Sequence, residues 1–142
     1  MRSTAHIKSH PIHPILVPFP IAFLIGSFLF DLYGFVFKEP ALYQTSFYMQ
    51  VAGIGFAVLA AIPGLIDLNK TVPPDSSARK RGIRHGILNT LMLIIFTIAW
   101  FYRKGDNADM RILLLMEFTG SILLFIAGWM GGTLVYRNQI GV

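Results

Sequence analysis

Four long apolar runs, at residues 15–37, 42–66, 83–102 and 112–136, alternate along this chain with short polar stretches. Each run is about 17 to 25 residues long, the length a helix needs to cross ~30 Å of hydrocarbon. The pattern predicts four transmembrane helices. With 142 residues in all, almost no chain is left over for a soluble core, so a single domain over 1–142 is expected. The connections are short, which makes successive helices antiparallel neighbours. The predicted fold is therefore an all-α integral membrane bundle of four helices running up, down, up and down.

Composition agrees with that reading, since 54% of the residues are apolar and only 13% are charged. Charge then sets the orientation. The N-terminal tail, the 67–85 loop and the C-terminus carry Arg2, Lys8, Lys70, Arg79, Lys80, Arg81, Arg84 and Arg137. The opposite side carries Lys38, Arg103, Lys104 and Arg111. The positive-inside rule then predicts both termini in the cytoplasm, with the protein in the cytoplasmic (inner) membrane. The net charge of +5 is concentrated beside the third helix, where it meets anionic lipid headgroups, so nucleic acid is not an expected partner. The first apolar run is too long for a signal-peptide core and no small-residue cleavage site follows it, so the first helix is expected to stay.

Polar residues inside the apolar runs carry the candidate chemistry. The chain opens with His10-Pro-Ile-His13-Pro-Ile-Leu-Val-Pro-Phe-Pro20, a proline-rich lead-in to the first helix. Proline fixes φ and biases the preceding residue towards extended backbone, so His10 and His13 are expected on a stiff extended segment, with Pro18 and Pro20 near the first helical turn. His6 falls in the tail before it. Pro63 and Gly64 are expected to bend or end the second helix, with Asp67 just beyond. His85 opens the third helix, and Asn89 lies one turn along the same face.

The topology gathers these residues into an inner layer of His10, His13, Gly64, Asp67 and His85, closed by Gly128, Gly131 and Gly132 of the fourth helix. Two imidazoles from non-adjacent helices facing glycines suit a bis-histidine b-type haem, with Arg81 or Arg84 for the propionates and Asp67 orienting a ligating ring. Two blander readings stand beside it: His13, His85 and His10 around a divalent metal, or a cofactor-free helix-entry bracket. An outer layer holds the intramembrane acids Asp31 and Glu117, with Gln50 and Arg103 or Arg111 as candidate partners. Such acids pair, bind a cation or carry protons; one acid per helix makes a structural pair the favoured reading.

Absence narrows the field further. The chain has no cysteine, which removes disulfides, iron–sulfur ligation and c-type haem attachment. No nucleophile-and-base pattern and no phosphate-cradling glycine loop occurs, so the chain is not expected to be an enzyme by itself.

The opening His10-Pro-Ile-His13-Pro-Ile-Leu-Val-Pro-Phe-Pro-Ile, together with Ala60-Ala61-Ile-Pro-Gly64-Leu-Ile-Asp67 and Arg84-His85-Gly-Ile-Leu-Asn89, resembles a bacterial membrane family, domain of unknown function 2231. The resemblance covers nearly the whole chain and implies a small four-helix membrane protein whose motif histidines are His10, His13 and His85. Relatives that join this domain to Rieske or c-type cytochrome modules imply a redox setting. The chain departs from the family at Pro18, where many relatives carry histidine, so that position offers no ligand here. The preferred expectation is haem b held by His13 and His85, with His10 as the alternative first-helix ligand, serving electron transfer to a partner protein or a quinone. The alternatives are a metal-binding or proton-linked transport element, or a structural subunit docking another membrane protein or a second copy.

Overall fold

The computed structural model describes residues 2–140. A small β-hairpin pairs β1 (His6–Ile7) with β2 (His10–Pro11), antiparallel, with Ile7 opposite His10. Lys8 and Ser9 form its tip at φ 47° and 68°, the positive-φ pair of a two-residue turn whose twist matches the strands. The helices α1 (Ile12–Leu16) and α2 (Pro18–Phe37) follow and run on as one span, Ile12–Phe37. Then come α3 (Ala41–Lys70), α4 (Ser77–Arg103) and α5 (Met110–Tyr136). Four spans, all long and apolar enough to cross a membrane, make an all-α bundle.

Three boundaries differ from the sequence expectation, each for a local reason. The first helix starts at Ile12, with Pro11 as its N-cap, so His13 is helical while His10 alone stays extended. Proline is tolerated there because the first four N–H groups of a helix have no partner inside it. Pro18 and Pro20 do fall in the first turn of α2, and the missing donors separate it at Val17 from the short α1 that precedes it. Pro63 does not stop α3, which continues to Lys70 with Asp67 inside its last turn. α4 begins well before residue 83, at Ser77, because Ser76 caps it by accepting from the Arg79 N–H at 3.0 Å. Arg79, Lys80, Arg81 and Arg84 thus lie on its first turns rather than in a loop.

The bundle is two helix pairs, α1/α2 with α3 and α4 with α5, each packed more closely internally than against the other. The two pairs repeat one another. His13, Leu24, Ser27 and Asp31 on the first span correspond, 72 residues on, to His85, Phe96, Ala99 and Arg103 on α4; Leu24, Ser27, Phe96 and Ala99 are all 0% exposed. At a second constant offset Ser46, Gln50, Gly53, Ala60 and Gly64 on α3 correspond to Leu113, Glu117, Gly120, Ala127 and Gly131 on α5. The contacts repeat as well. A Cβ at Gly53 would stand 2.6 Å from Leu24 Cδ2, and one at Gly120 would stand 2.7 Å from Phe96 Cε2.

Two pairs of equivalent residues also touch each other, His13 with His85 and Arg103 with Asp31. Equivalent residues in mutual contact mark a two-fold relation, as in an isologous dimer, so an approximate two-fold axis passes both pairs. Between them Leu24, Met92, Phe96 and Leu124 form the apolar core. In lipid, helices are held by close packing rather than by apolar burial, and glycines let Leu24 and Phe96 approach the facing backbone.

These close approaches predict an asymmetry among the glycines. Gly53→Val and Gly120→Val should each destabilise the purified protein by about 1–3 kcal/mol through overpacking. Gly86→Val, where nothing lies within 4 Å of the added carbon, should cost nothing measurable. Thermal unfolding in detergent checks this, and equal behaviour of the three variants would contradict the packing.

Candidate functional site

Helix α3 exposes its backbone at Ala60 and Gly64, one turn apart and on one face, because neither residue carries a bulky side chain. The His13 ring lies in that window. Its Nδ1 is 2.7 Å from the Ala60 carbonyl oxygen, and a Cβ on Gly64 would come within 3.0 Å of the ring. The second repeat builds the same arrangement. His85 Nδ1 is 2.8 Å from the Ala127 carbonyl oxygen, and a Cβ on Gly131 would come within 3.0 Å of that ring. A carbonyl only accepts, so both Nδ1 atoms donate a proton, and in the neutral ring this is the tautomer that leaves the lone pair on Nε2.

The two half-buried imidazoles face each other with ring centres 6.3 Å apart and planes at 89°. Asn89, a turn along α4, brings its Nδ2 to 3.1 Å from His85 Nε2 and also donates to the His85 carbonyl at 2.9 Å. Imidazole nitrogens held about 2.0–2.1 Å from opposite sides of one metal atom put their ring centres about 6 Å apart. A bare divalent ion wants more protein ligands than two, and among the described residues no three His, Asp or Glu side chains come together. A haem iron brings four nitrogens in its own ring and asks only two from the protein. In ligand number the pair matches what a haem iron asks of a protein, while Gly64 and Gly131 lie against the rings and leave no open slot there.

Other residues expected in this layer are placed elsewhere. His10 is exposed on the β-hairpin, its Nδ1 2.9 Å from the Lys8 carbonyl oxygen, and His6 is exposed on the opposite strand. Asp67 does not orient a histidine, because both Nδ1 atoms use backbone carbonyls. Its carboxylate instead receives Ser3 Oγ at 2.8 and 2.7 Å, the Thr4 and Ala5 N–H groups at 2.8 and 3.1 Å, and Thr71 Oγ1 at 3.2 Å. That set clamps the N-terminal tail onto the end of α3. Gly64 and Gly131 seat the imidazoles directly rather than opening a slot, while Gly128 and Gly132 face a groove between α2 and α5. Arg81 and Arg84 line a basic recess with Ser77, Lys80 and Met130, and Arg81 donates to Asn138 Oδ1.

At the opposite end, the outer-layer residues converge on one cation. Arg103 reaches in from the end of α4 and pairs with Asp31 through Nη2, which also lies 3.0 Å from Glu117 Oε1. Both carboxylates are fully buried and the Arg103 side chain is 11% exposed. Ser27 Oγ donates to Glu117 Oε1 at 3.0 Å, and the same guanidinium reaches Ser46 Oγ at 3.1 Å and the Tyr43 carbonyl at 3.3 Å. All four spans meet in this network. Arg111 has no part in it, and Gln50 donates from Nε2 to the Phe96 carbonyl at 3.2 Å instead. Serving two acids with one guanidinium makes a structural lock; it does not form a chain of stations across the membrane.

A family model described as "Predicted membrane protein (DUF2231)" matches residues 9–142, nearly the whole chain. No curated protein and no solved structure matches it.

The network predicts a steep dependence on Arg103. Arg103→Gln leaves two buried carboxylates without their cation and should lower stability by about 3–5 kcal/mol, seen as a large fall in the unfolding midpoint in detergent. Because the two positions are equivalent, Asp31→Arg combined with Arg103→Asp should recover part of that loss. A double variant no better than the single one would refute the two-fold relation.

Proposed function

The chain belongs to the DUF2231 family of predicted membrane proteins, and we propose that it acts in the bilayer as an electron carrier holding one b-type haem between His13 and His85. The observation that carries this reading is the imidazole pair itself: two rings, 6.3 Å apart and perpendicular, each oriented by a backbone carbonyl of the helix behind it.

The backbone anchors do what a partner to a ligating histidine has to do, fixing ring orientation and leaving Nε2 basic. Ala60 and Gly64, with Ala127 and Gly131, hold the rings against helix backbone, so neither imidazole can turn away without leaving its window. Asn89 keeps its bond to the His85 carbonyl when it yields Nε2. Arg81 and Arg84, on the early turns of α4 next to His85, would be the cations for carboxylate groups of a bound ring. Haem, when bound, supplies reversible one-electron chemistry, and burial among apolar helices is one of the protein's means of setting its potential. Electrons would pass to a membrane quinone or to a partner protein at the face carrying both termini, which the Lys and Arg distribution assigns to the cytoplasm.

The test is an absorption spectrum of protein purified in detergent from haem-supplied cells, oxidised and then reduced with dithionite. A Soret band with sharp reduced α and β bands is expected. His13→Ala and His85→Ala should each abolish the low-spin spectrum, whereas His10→Ala should leave it unchanged. A flat visible spectrum, or an unchanged one in the His85 variant, would overturn the assignment.

A further inference from the structure

We propose that the groove between α2 and α5 binds an anionic phospholipid, one acyl chain lying along the groove and the phosphate resting on Arg137. The site is separate from the imidazole pair and does not rest on the haem reading.

The groove encloses about 620 Å³ and is walled by Ile21 and Ile25 on one side and by α5 on the other. Its floor is kept open by Gly128 and Gly132, beside which nothing stands within 4 Å of where a side chain would begin. It faces outward: Phe125 and Trp129 on its rim are each 76% exposed. Over the length of a membrane span the surrounding medium is hydrocarbon, so an open apolar channel of this size fills with a chain.

Polarity along the groove selects the kind of chain. Ile21, Ile25, Leu124 and Phe125 line it apolarly, and its polar residues, Thr133, Tyr136 and Arg137, all come from the last turn of α5 and the residue after it. Arg137 is exposed, and among the described residues no carboxylate lies within ion-pair distance of it. Arg81 is tied to Asn138, the next residue, which brings its neighbour Lys80 to the same end. A long apolar slot ending in unneutralised cations is complementary to an amphiphile with an anionic head. Arginine pairs well with phosphate, and basic pockets between membrane helices at the cytoplasmic side recognise such headgroups. A quinone, whose head is uncharged, would leave those cations unanswered.

The experiment is a titration of delipidated full-length protein in detergent with dioleoyl phosphatidylglycerol or dioleoyl phosphatidylcholine, read by thermal midpoint and by native mass spectrometry. One phosphatidylglycerol should be retained per chain, with about tenfold higher affinity than phosphatidylcholine. Arg137→Gln should bring the two lipids to equal affinity. Gly132→Leu, whose added Cβ has nothing within 4 Å and whose remaining side chain occupies the groove, should lose both while the unfolding midpoint of the lipid-free protein stays unchanged. Equal binding of the two lipids by the native protein would overturn the proposal. So would binding indifferent to both substitutions, a ubiquinone analogue displacing the phospholipid, or a dimer that closes the groove.

Discussion

Placing Asp31 and Glu117 inside hydrocarbon costs about 2.5 kcal/mol or more apiece unless a cation accompanies them, and the guanidinium of Arg103 is that cation. Its reach fixes much of the bundle. Arg103 comes from the end of α4, Asp31 and Ser27 from α2, Ser46 from α3 and Glu117 from α5, so the network closes only when all four spans are in register. A shift of one helix by a turn would strand a charge in lipid.

The approximate two-fold relation explains how Arg103 comes to face Asp31. Asp31 and Arg103 occupy equivalent places in the two helix pairs, and opposite charges there favour pairing of unlike halves. Two copies of the first pair would set aspartate against aspartate; two copies of the second would set arginine against arginine. At the other end the repeats keep the same residue, so the axis brings histidine to histidine. A single architecture thus yields an ion-paired lock where the repeats differ and a facing pair of imidazoles where they agree.

Much of the inner layer was visible in the chain, although several roles were not. His13, His85, Gly64 and Gly131 stand out because a polar ring and missing side chains are unusual in apolar runs. The partner of each imidazole was invisible, since Ala60 and Ala127 contribute backbone carbonyls, which every residue has. Asp67 drew attention as a buried acid near the histidines, yet its donors come from Ser3, Thr4 and Ala5, a tail whose path no local pattern reveals. His10 and His13 look alike in sequence, each before a proline; they part because Pro11 caps the helix and Pro14 lies inside its first turn.

The repeat itself was legible in principle. Ala60-x-x-x-Gly64 and Ala127-x-x-x-Gly131 share a spacing, as do the steps from His13 to Asp31 and from His85 to Arg103, but dissimilar side chains at most matched positions hide it. Number of spans, their antiparallel order and the class of fold follow from apolar length and charge alone, because the bilayer imposes both. Which residues meet does not. Pairing of Arg103 with two acids, and of two imidazoles across an axis, depends on how helices rotate and slide against one another. In lipid that rotation is governed by close contacts between small residues and backbone, and only the packed bundle brings those contacts into being.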